Sequence, residues 1–312
     1  MTTAQAARRI AALTQRYVTV AGLCDRIADL PHQFCHPQPR RWAPVAWAAI
    51  APEQISGMAV ETFCAILLGA INTEAPIRGY TQASRQYLAH FHPAMAQFVG
   101  GTAETPKDAP KGTPKDAPHK LTTLGLWERE EKRHTPALIT LYHRLSGERP
   151  TPIPHRARPY TPSGEPRADL YRHGLHRIAT EYAAACLYLW MMAYTTGPLQ
   201  AVLGELLIDE INHMAKFWGF GRWAYPDTGL DTVARTLTQA MVQKWRQPGF
   251  QGSLLHTLRR MMHELAWSQW QVSHRLTLLY SFDQVMRVLW RWDHSLDPAY
   301  LETLLGPTPT HR

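Results

Sequence analysis

The chain has 312 residues, of which 45% are hydrophobic, and this suits one large domain or two modest ones with a sizeable core. The formal charge of 33 − 25 = +8 favours acidic partners, but the charges are scattered and no block is typical of a nucleic-acid-binding arm. Four widely spaced cysteines without a C-x-x-C pair argue against a disulfide framework, a zinc ribbon and a thiol–disulfide enzyme.

The N-terminal segment predicts a cytoplasmic protein. Met1–Arg9 is followed by only a short apolar stretch, Ile10–Leu13, which falls well short of the apolar region of a secretory signal. A transit peptide is the alternative, because Thr2–Gly22 contains arginines and no acidic residue.

Apolar residues at helical spacing dominate the rest of the chain, and strand signals are nearly absent. Proline and glycine concentrate between the periodic stretches, where helices would end. We therefore predict an all-α fold, a helical bundle with additional N- and C-terminal helices. The predicted helical segments are Ala4–Ala28, Ile55–Leu88, Leu126–Leu145, Arg172–Ala193, Leu199–Phe217, Thr232–Lys244 and Leu254–Leu289.

Two irregular segments interrupt this pattern. Gly100–Lys120 contains the hexapeptide T-P-K-D-A-P twice and predicts a mobile loop, whereas the proline- and arginine-rich Glu148–Arg167 is typical of an extended crossover. Both lie between helices of the bundle, so neither indicates a domain boundary. We predict a single domain over 1–312, with a core bundle at about 55–217 and a C-terminal helical extension at about 232–303.

One uncharged stretch, Ala183–Gly204, is long enough to span a bilayer. Thr195-Thr196-Gly197-Pro198 interrupts its middle, and Glu181 and Glu205 flank it closely. A buried helical hairpin explains these features better than a membrane span, and no membrane span is predicted.

Two Glu-x-x-His motifs lie on predicted helices, at Glu131–His134 and at Glu210–His213. A three-residue step along an α-helix rotates by about 300° and rises by about 4.5 Å, so the two side chains of each motif share one face. Such a face offers one carboxylate oxygen and one imidazole nitrogen to a single ion. One motif of this kind arises by chance in many proteins, whereas two on apolar helices indicate a metal site.

Two further glutamates complete the ligand set of a four-helix di-metal site, which takes a lone glutamate from each of two other helices. Glu74 and Glu181 provide them in the chain order Glu, ExxH, Glu, ExxH, although Glu61 competes with Glu74 on the same predicted helix. The turn Thr195-Thr196 lies 14 residues from both Glu181 and Glu210. An antiparallel hairpin therefore sets these two carboxylates at the same height, about 21 Å from the turn.

Each of these residues has a simpler interpretation when it is taken alone. Glu131 lies in the charged run 128–133, which is typical of a solvated helix face, and His134 is typical of a surface histidine. Glu181 and Glu210 have apolar neighbours, and a buried acid without a partner is unfavourable. Carboxylates and imidazoles together suit iron or manganese.

The residues around these positions resemble a known family, the soluble acyl-[acyl-carrier-protein] desaturases of the ferritin-like superfamily. The similarity covers about Pro39–Pro248, and the last 60 residues match no family pattern. The segments that carry it are W-E-R-E-E-K-R-H at 127–134 followed by L-S-G at 145–147, L-L-G-A-I-N-T-E-A at 67–75, R-W-A-P at 41–44, D-E-I-N-H at 209–213 and, more faintly, A-M-V-Q-K-W-R-Q-P at 240–248.

The resemblance implies a ferritin-like four-helix bundle with two Fe²⁺ ions, manganese being possible, and O2 as co-substrate. The implied metal ligands are Glu74, rather than Glu61, together with Glu131, His134, Glu181, Glu210 and His213. Trp42 and Asp209 would form, with His134, the path by which electrons reach the metal centre. The implied reaction forms a double bond in a fatty acyl chain carried by an acidic acyl carrier protein, with a ferredoxin-type electron donor.

Some positions differ from the family pattern and leave alternatives open. The family has a threonine three residues after its third ligand, where this chain has Ala184, and Thr73 replaces an acid beside Glu74. The alternatives are a di-iron oxygenase or hydroxylase acting on a non-acyl substrate, a ferritin-like iron-binding protein, and a non-catalytic helical scaffold.

The predicted partners follow from charge and from the resemblance. Arg149, Arg156, Arg158 and Arg167 in the crossover are candidates for docking an acidic acyl carrier protein, and a generally basic surface is the alternative. A homodimer is also possible, and no nucleic-acid partner is expected.

Overall fold

The structure, a computed structural model, describes residues 1–103, 121–153, 161–232, 235 and 262–308. Most of the predicted loop at 100–120, Arg156 and Arg158 of the crossover, most of the predicted helix Thr232–Lys244, and residues 254–261 of the predicted helix Leu254–Leu289 lie outside the described residues. The described part of that last helix is not continuous, because a 3-10 turn at Trp267–Gln269 precedes a helix that begins at Val272.

The prediction of an all-α fold is confirmed for the described part of the chain. Two short antiparallel strands, β1 (Thr102–Ala103) and β2 (Leu121–Thr123), pair with each other. The helices are α1 (Thr3–Tyr17), α2 (Val20–Ala28), α3 (Leu30–Cys35), α4 (Val60–Glu74), α5 (Ile77–Ala89), α6 (Pro93–Gly100), α7 (Leu126–Glu131), α8 (His134–Ser146), α9 (Pro166–Ala193), α10 (Gly197–Ala224), α11 (Val272–Ser295) and α12 (Pro298–Leu305), with 3-10 turns at Trp47–Ala49, Pro52–Gln54 and Trp267–Gln269.

The predicted helix Ala4–Ala28 is two helices. Thr2 begins α1 with a reciprocal capping box to Gln5. The chain is extended at Val18 and Thr19, and the Thr19 hydroxyl accepts from the Gly22 amide to begin α2. Two consecutive β-branched residues with a threonine cap are the local reason for the break.

The predicted helix Ile55–Leu88 is also two helices, and the break lies beside a site residue. Glu74 is the last residue of α4, and Pro76 precedes the first residue of α5. Proline has no amide hydrogen to donate and clashes with the preceding turn. The two helices are bent by 42° at this point, so the Glu74 side chain lies at a helix end rather than in a helix interior.

The uncharged stretch around residue 195 forms the predicted hairpin. Helices α9 and α10 have 28 residues each, and the turn Tyr194–Thr196 joins them. Pro166 and Pro198 lie in the first turns of these helices, where a missing amide hydrogen costs nothing. Within the described residues, no single helix has both the length and the apolar character to cross a membrane, and the bent pair α4–α5 meets these criteria only when counted together.

One continuous hydrophobic core connects these elements. Helix α10 is buried along most of its length and packs against α9, while α8 packs against α4. The described part of the C-terminal extension completes the core, because α11 packs against α1 and α9 and α12 packs against α10. All four cysteines are free thiols.

Candidate metal centre

Six polar side chains from four parts of the fold converge inside this core. Their nitrogen and oxygen atoms form two groups, and within each group the candidate ligand atoms lie within 4.8 Å of one another. Buried Glu and His side chains arranged in this way could hold metal ions. The first group is Glu74, Glu131, His134 and Glu210, and the second is Glu131, Glu181, Glu210 and His213.

The first Glu-x-x-His motif was expected on one continuous helix, Leu126–Leu145. It lies instead across the junction of α7 and α8. Glu131 ends α7 and His134 begins α8, with Lys132 and Arg133 between them. Both linking residues keep right-handed helical dihedral angles. The two side chains therefore still share a face, and His134 Nδ1 lies 3.2 Å from Glu131 Oε2.

Glu131 lies between the two imidazoles. Its Oε2 atom is 3.2 Å from Nδ1 of His134, and its Oε1 atom is 2.7 Å from Nδ1 of His213. The Trp127 indole, one turn earlier on α7, donates a hydrogen bond of 2.9 Å to Glu131 Oε1. Glu210 belongs to both groups as well, with Oε1 at 3.1 Å from His134 Nδ1. Glu131 and Glu210 are therefore the two carboxylates common to both groups.

The lone glutamates complete the two ends of the site. Glu181 on α9 places Oε2 at 3.5 Å from Nδ1 of His213, and Glu74 places Oε2 at 3.9 Å from Nδ1 of His134. Tyr188, about two turns beyond Glu181 on α9, donates a hydrogen bond of 3.1 Å to Glu74 Oε1. Glu61, the competing residue on α4, is exposed and stands outside the cluster.

Outer carboxylates fix the orientation of both imidazoles. His134 Nε2 lies 3.3 Å from Asp209 Oδ2, and His213 Nε2 lies 3.0 Å from Glu130 Oε2. A carboxylate at Nε2 favours the tautomer with its proton on that nitrogen, which leaves the Nδ1 lone pair directed into the site.

The nitrogen and oxygen atoms that face the centre of the cluster are better placed to bind a cation than to hydrogen-bond with one another. Nδ1 of His134, Nδ1 of His213 and Oε1 of Glu210 are buried and make no hydrogen bond within the described structure, although opposing ligand atoms lie about 3 Å away. Buried polar atoms are nearly always hydrogen-bonded. A metal ion bound between these atoms would give each of them the partner that it lacks.

Asp209 anchors an ion-pair network on the outer side of His134. Its Oδ1 atom accepts from Arg40 Nε at 2.8 Å, and its Oδ2 atom accepts from Arg133 at 2.9 Å. The Trp42 indole also donates to Oδ2 at 2.8 Å, and its ring lies 6.4 Å from the His134 ring. Asp209 Oδ2 thus contacts both the Trp42 indole and the His134 imidazole.

The charged run 128–133 is not a solvated helix face. Glu128, Glu130 and Glu131 are all buried, because each has a partner inside the fold. The Arg40 backbone amide donates to Glu130 Oε1 at 2.7 Å, and Thr81 and Gln82 donate to Glu128.

Sequence reasoning missed Glu130, Arg40 and Tyr188 as parts of this site. Glu130 and Arg40 approach each other across 90 residues of chain, so no local spacing links them. Tyr188 offers a weak signal, because it follows Glu181 by seven residues and therefore lies on the same helix face.

Burial and the charges of neighbouring groups shift the pKa values of Glu131 and Glu210 in opposite directions. Burial followed by the nearby Glu131 charge raises the pKa of Glu210 well above its usual value, while the pKa of Glu131 falls far below its own because both imidazoles outweigh its burial. Burial opposes protonation of His134 and His213, yet the charge of Glu131 and the surrounding carboxylates raise the pKa of both. Without a metal ion, both imidazoles therefore hold a proton more tightly than a free histidine does.

Metal affinity is expected to rise with pH. An ion must displace the protons held at His134 and His213, whose pKa values are raised above 6.5. Loss of about two protons per binding event would change the logarithm of the dissociation constant by up to about 2 per pH unit. Titration of the chelator-treated protein with Mn²⁺ between pH 6.5 and 8, followed calorimetrically in two buffers of different ionisation enthalpy, measures both quantities.

The stability of the metal-free protein should change in the opposite sense. A histidine whose folded pKa is raised stabilises the fold fully below pH 6.5, and this contribution is lost as pH rises through the raised value. The melting temperature of chelator-treated protein should therefore fall from pH 6.5 to 8.

In the metal titration, a Mn²⁺ affinity that does not vary over this pH range would show that the imidazoles are not ligands.

A cavity borders the site on the Glu74 side. It offers about 60 Å³ to the centres of water-sized molecules, and its walls come mainly from α4, α9 and α11. Glu74 and Tyr188 reach its edge, while Ala184, Leu187 and Phe282 are among the apolar residues that line it. The Glu74 side chain keeps 12% of its surface exposed, and the cavity is where an uncharged molecule could approach it.

Compared with protein-family models, with curated proteins and with solved structures, the chain matches none.

Proposed function

We propose that the protein is an O2-dependent di-iron oxidoreductase that resembles the soluble acyl-[acyl-carrier-protein] desaturases and removes hydrogen from an apolar, fatty acyl-like chain to form a double bond. The supporting observation is the ordered six-residue cluster, in which both imidazoles turn Nδ1 inward and hold Nε2 against an outer carboxylate. On this proposal, α4, α7–α8, α9 and α10 form a ferritin-like four-helix bundle.

The six residues divide naturally between two ions. His134 and Glu74 would hold one, His213 and Glu181 would hold the other, and the carboxylates common to both groups, Glu131 and Glu210, would bridge them. The chemistry that two bound ferrous ions supply is reduction of O2 and oxidation of an unactivated C–H bond. Manganese prefers a similar set of oxygen and nitrogen donors and is the competing ion.

The residues around the site prepare it for an apolar substrate. The cavity beside Glu74 excludes water through its apolar walls, among them Leu187 and Phe282. The Tyr188 hydroxyl holds its proton against Glu74 Oε1 and so orients that carboxylate at the cavity edge. A substrate carbon in this cavity would lie beside the candidate ligand Glu74, with mostly apolar side chains around it.

Electrons would enter from the opposite side. Reduction of O2 to water takes four electrons, of which formation of one double bond yields two, so a one-electron donor protein of ferredoxin type would supply the remainder. The contacts Trp42–Asp209 and Asp209–His134 lead from a half-buried indole to the inner imidazole. Arg133 lies over the Trp42 ring at 5.3 Å, and its guanidinium also pairs with Asp209 at 2.9 Å.

An acidic acyl carrier protein would dock on the basic crossover. Arg149 is exposed and available for such a contact. Arg167 suits it less well, because its guanidinium lies 4.9 Å over the Tyr225 ring and donates to the Ala224 carbonyl.

A second candidate function is hydroxylation of a non-acyl substrate, and the position of Ala184 favours it. Ala184 lines the cavity beside Glu74, where the desaturase family carries a threonine hydroxyl. Two hydroxyls remain at this edge, and both are engaged: Tyr188 donates to Glu74, and Thr73 donates to the Gly69 carbonyl.

Oxygen consumption separates these functions. Iron-loaded protein, reduced and mixed with O2 in a stopped-flow instrument, should show a transient visible absorption, and acyl carriers should accelerate O2 consumption and be converted to alkenes. A rate of O2 consumption that acyl carriers do not change would favour the hydroxylase. Full iron loading without any consumption would contradict both and favour an iron-binding or scaffold protein.

A further inference from the structure

A second cavity lies between α5, α9 and α10, away from the one beside Glu74. It offers about 60 Å³ to the centres of water-sized molecules, and apolar side chains such as Leu88, Ile178 and Phe220 form most of its wall. Phe217 on its inner side packs edge-on against Trp127 at 5.0 Å, and Trp127 contacts the metal-site residue Glu131. An aromatic layer therefore separates this cavity, called the interhelix cavity below, from the candidate metal centre.

Two glycines keep the interhelix cavity open. A Cβ atom built at Gly174 on α9 would have no heavy atom within 4 Å, and one at Gly221 on α10 would meet only Ile178, at 3.7 Å. Both lie in helix interiors, where glycine is unfavourable, and neither has a positive φ angle that would require it. No packing contact requires glycine at Gly174, and the volume left by the missing side chain adds to the cavity.

A buried hydrogen-bonding pair faces this space. Ser84 Oγ on α5 lies 2.7 Å from His173 Nε2 on α9, and both residues line the cavity. Ser84 is 1% exposed, and the His173 ring stacks on Tyr87 at 4.3 Å, which holds it in place. A hydroxyl has one donor and two acceptor positions, and the contact with His173 uses one of the three.

The pair is uncharged, and the cations near it are engaged elsewhere. Burial, together with the charges of Arg177 and His176, lowers the pKa of His173 well below its usual value. The Arg177 guanidinium lies over the Tyr80 ring at 5.1 Å, and Arg222 pairs with Asp293 at 3.0 Å. An anion entering the cavity would therefore lose its hydration without gaining a free opposite charge.

We propose that the interhelix cavity binds a mostly apolar organic molecule that carries one uncharged hydrogen-bonding group, such as a hydroxyl or carbonyl, and that Ser84 and His173 recognise this group. Apolar walls supply the affinity, and the polar pair supplies the orientation, which is the usual division of roles in small-molecule sites. This site does not depend on metal binding or on the function proposed above.

Matched probes test the proposal directly. p-Cresol and p-xylene have the same shape and differ by one hydroxyl in place of a methyl group, and benzoate adds a charge. Calorimetric titration of the full-length protein should show p-cresol binding about tenfold more tightly than p-xylene, a difference of the size that one hydrogen bond provides. Benzoate should bind more weakly than p-cresol. Equal affinity for p-cresol and p-xylene would overturn the proposal.

Variants locate the binding. Gly174→Phe should fill the cavity and abolish binding of both probes, whereas Ser84→Ala should reduce p-cresol affinity to the level of p-xylene and leave p-xylene unchanged. Gln86→Ala, exposed on the same helix as Ser84, is the matched control and should bind like the wild type. Circular dichroism and iron content verify that each variant is folded. Unaltered p-cresol binding by folded Gly174→Phe would place the site elsewhere and contradict the assignment.

Discussion

Replacing Glu131 with alanine is expected to remove nearly all tightly bound iron from the protein. Glu131 belongs to both ligand groups and places one oxygen beside each inner imidazole nitrogen. Its loss removes a donor from both ions and leaves two buried imidazoles without their central counter-charge. Plasma mass spectrometry of reconstituted protein should show a drop from about two ions per chain to well below one.

The matched control is Glu61→Gln, also on a site-bearing helix but exposed and outside the cluster. It should bind iron like the wild type. The circular dichroism spectrum of Glu131→Ala must remain helical for the comparison to count, and His213→Ala gives a second variant should it unfold. Full iron occupancy in folded Glu131→Ala would show that the cluster is not the metal site.

Replacing Asp209 with alanine should weaken both the fold and metal binding. Asp209 is fully buried and accepts from Arg40, Arg133 and Trp42 while it orients His134. The positive charges of His134, His213 and Arg40 outweigh its burial and lower its pKa to about 2, so it is ionised throughout the physiological range. Removing one partner of a buried ion pair costs about 3 to 5 kcal/mol, and loss of an outer ligand partner lowers metal affinity about 10- to 100-fold.

Urea unfolding of the metal-free protein and chelator competition of the loaded protein measure the two effects separately. Asp283→Ala on α11 is the control, because its ion pair with Arg287 is exposed and such pairs contribute less than about 1 kcal/mol. An Asp209→Ala variant as stable as this control, with wild-type metal affinity, would contradict a positioning role for Asp209.

Much of the site could be predicted because its geometry is local. The α9–α10 hairpin follows from an uncharged stretch with Thr195-Thr196 at its centre, and equal distances from that turn bring Glu181 and Glu210 together. The i, i+3 spacing likewise brings Glu210 and His213 onto one face of α10. Periodicity is sufficient for contacts of this kind, because a helix or hairpin fixes them without help from the rest of the fold.

The outer part of the site could not be predicted, because it depends on contacts between distant segments. Glu130 looked like part of a solvated run, and only the approach of Arg40 and His213 explains its burial. The break after Glu131 had a local signal that was missed. Pro136 lies in the first turn of α8, where proline is tolerated, and it has no amide hydrogen to donate to the Lys132 carbonyl.

The interhelix cavity had no sequence signal either. Gly174 and Gly221 lie 47 residues apart, and a single glycine within a predicted helix does not indicate a cavity. Ser84 and His173 come from different helices and meet only when α5 packs against α9. A cavity forms where packed helices leave space between them, so it cannot be predicted from any single segment of the sequence.

Anomalous diffraction at the iron edge from crystals of iron-loaded protein tests the central claim most directly. We expect two anomalous peaks between the two imidazoles, each within about 2.5 Å of Nδ1 of either His134 or His213, with Glu131 and Glu210 in contact with both. An iron-loaded crystal with no peak at this cluster, or with iron bound elsewhere on the protein, would contradict a di-metal centre formed by these six residues.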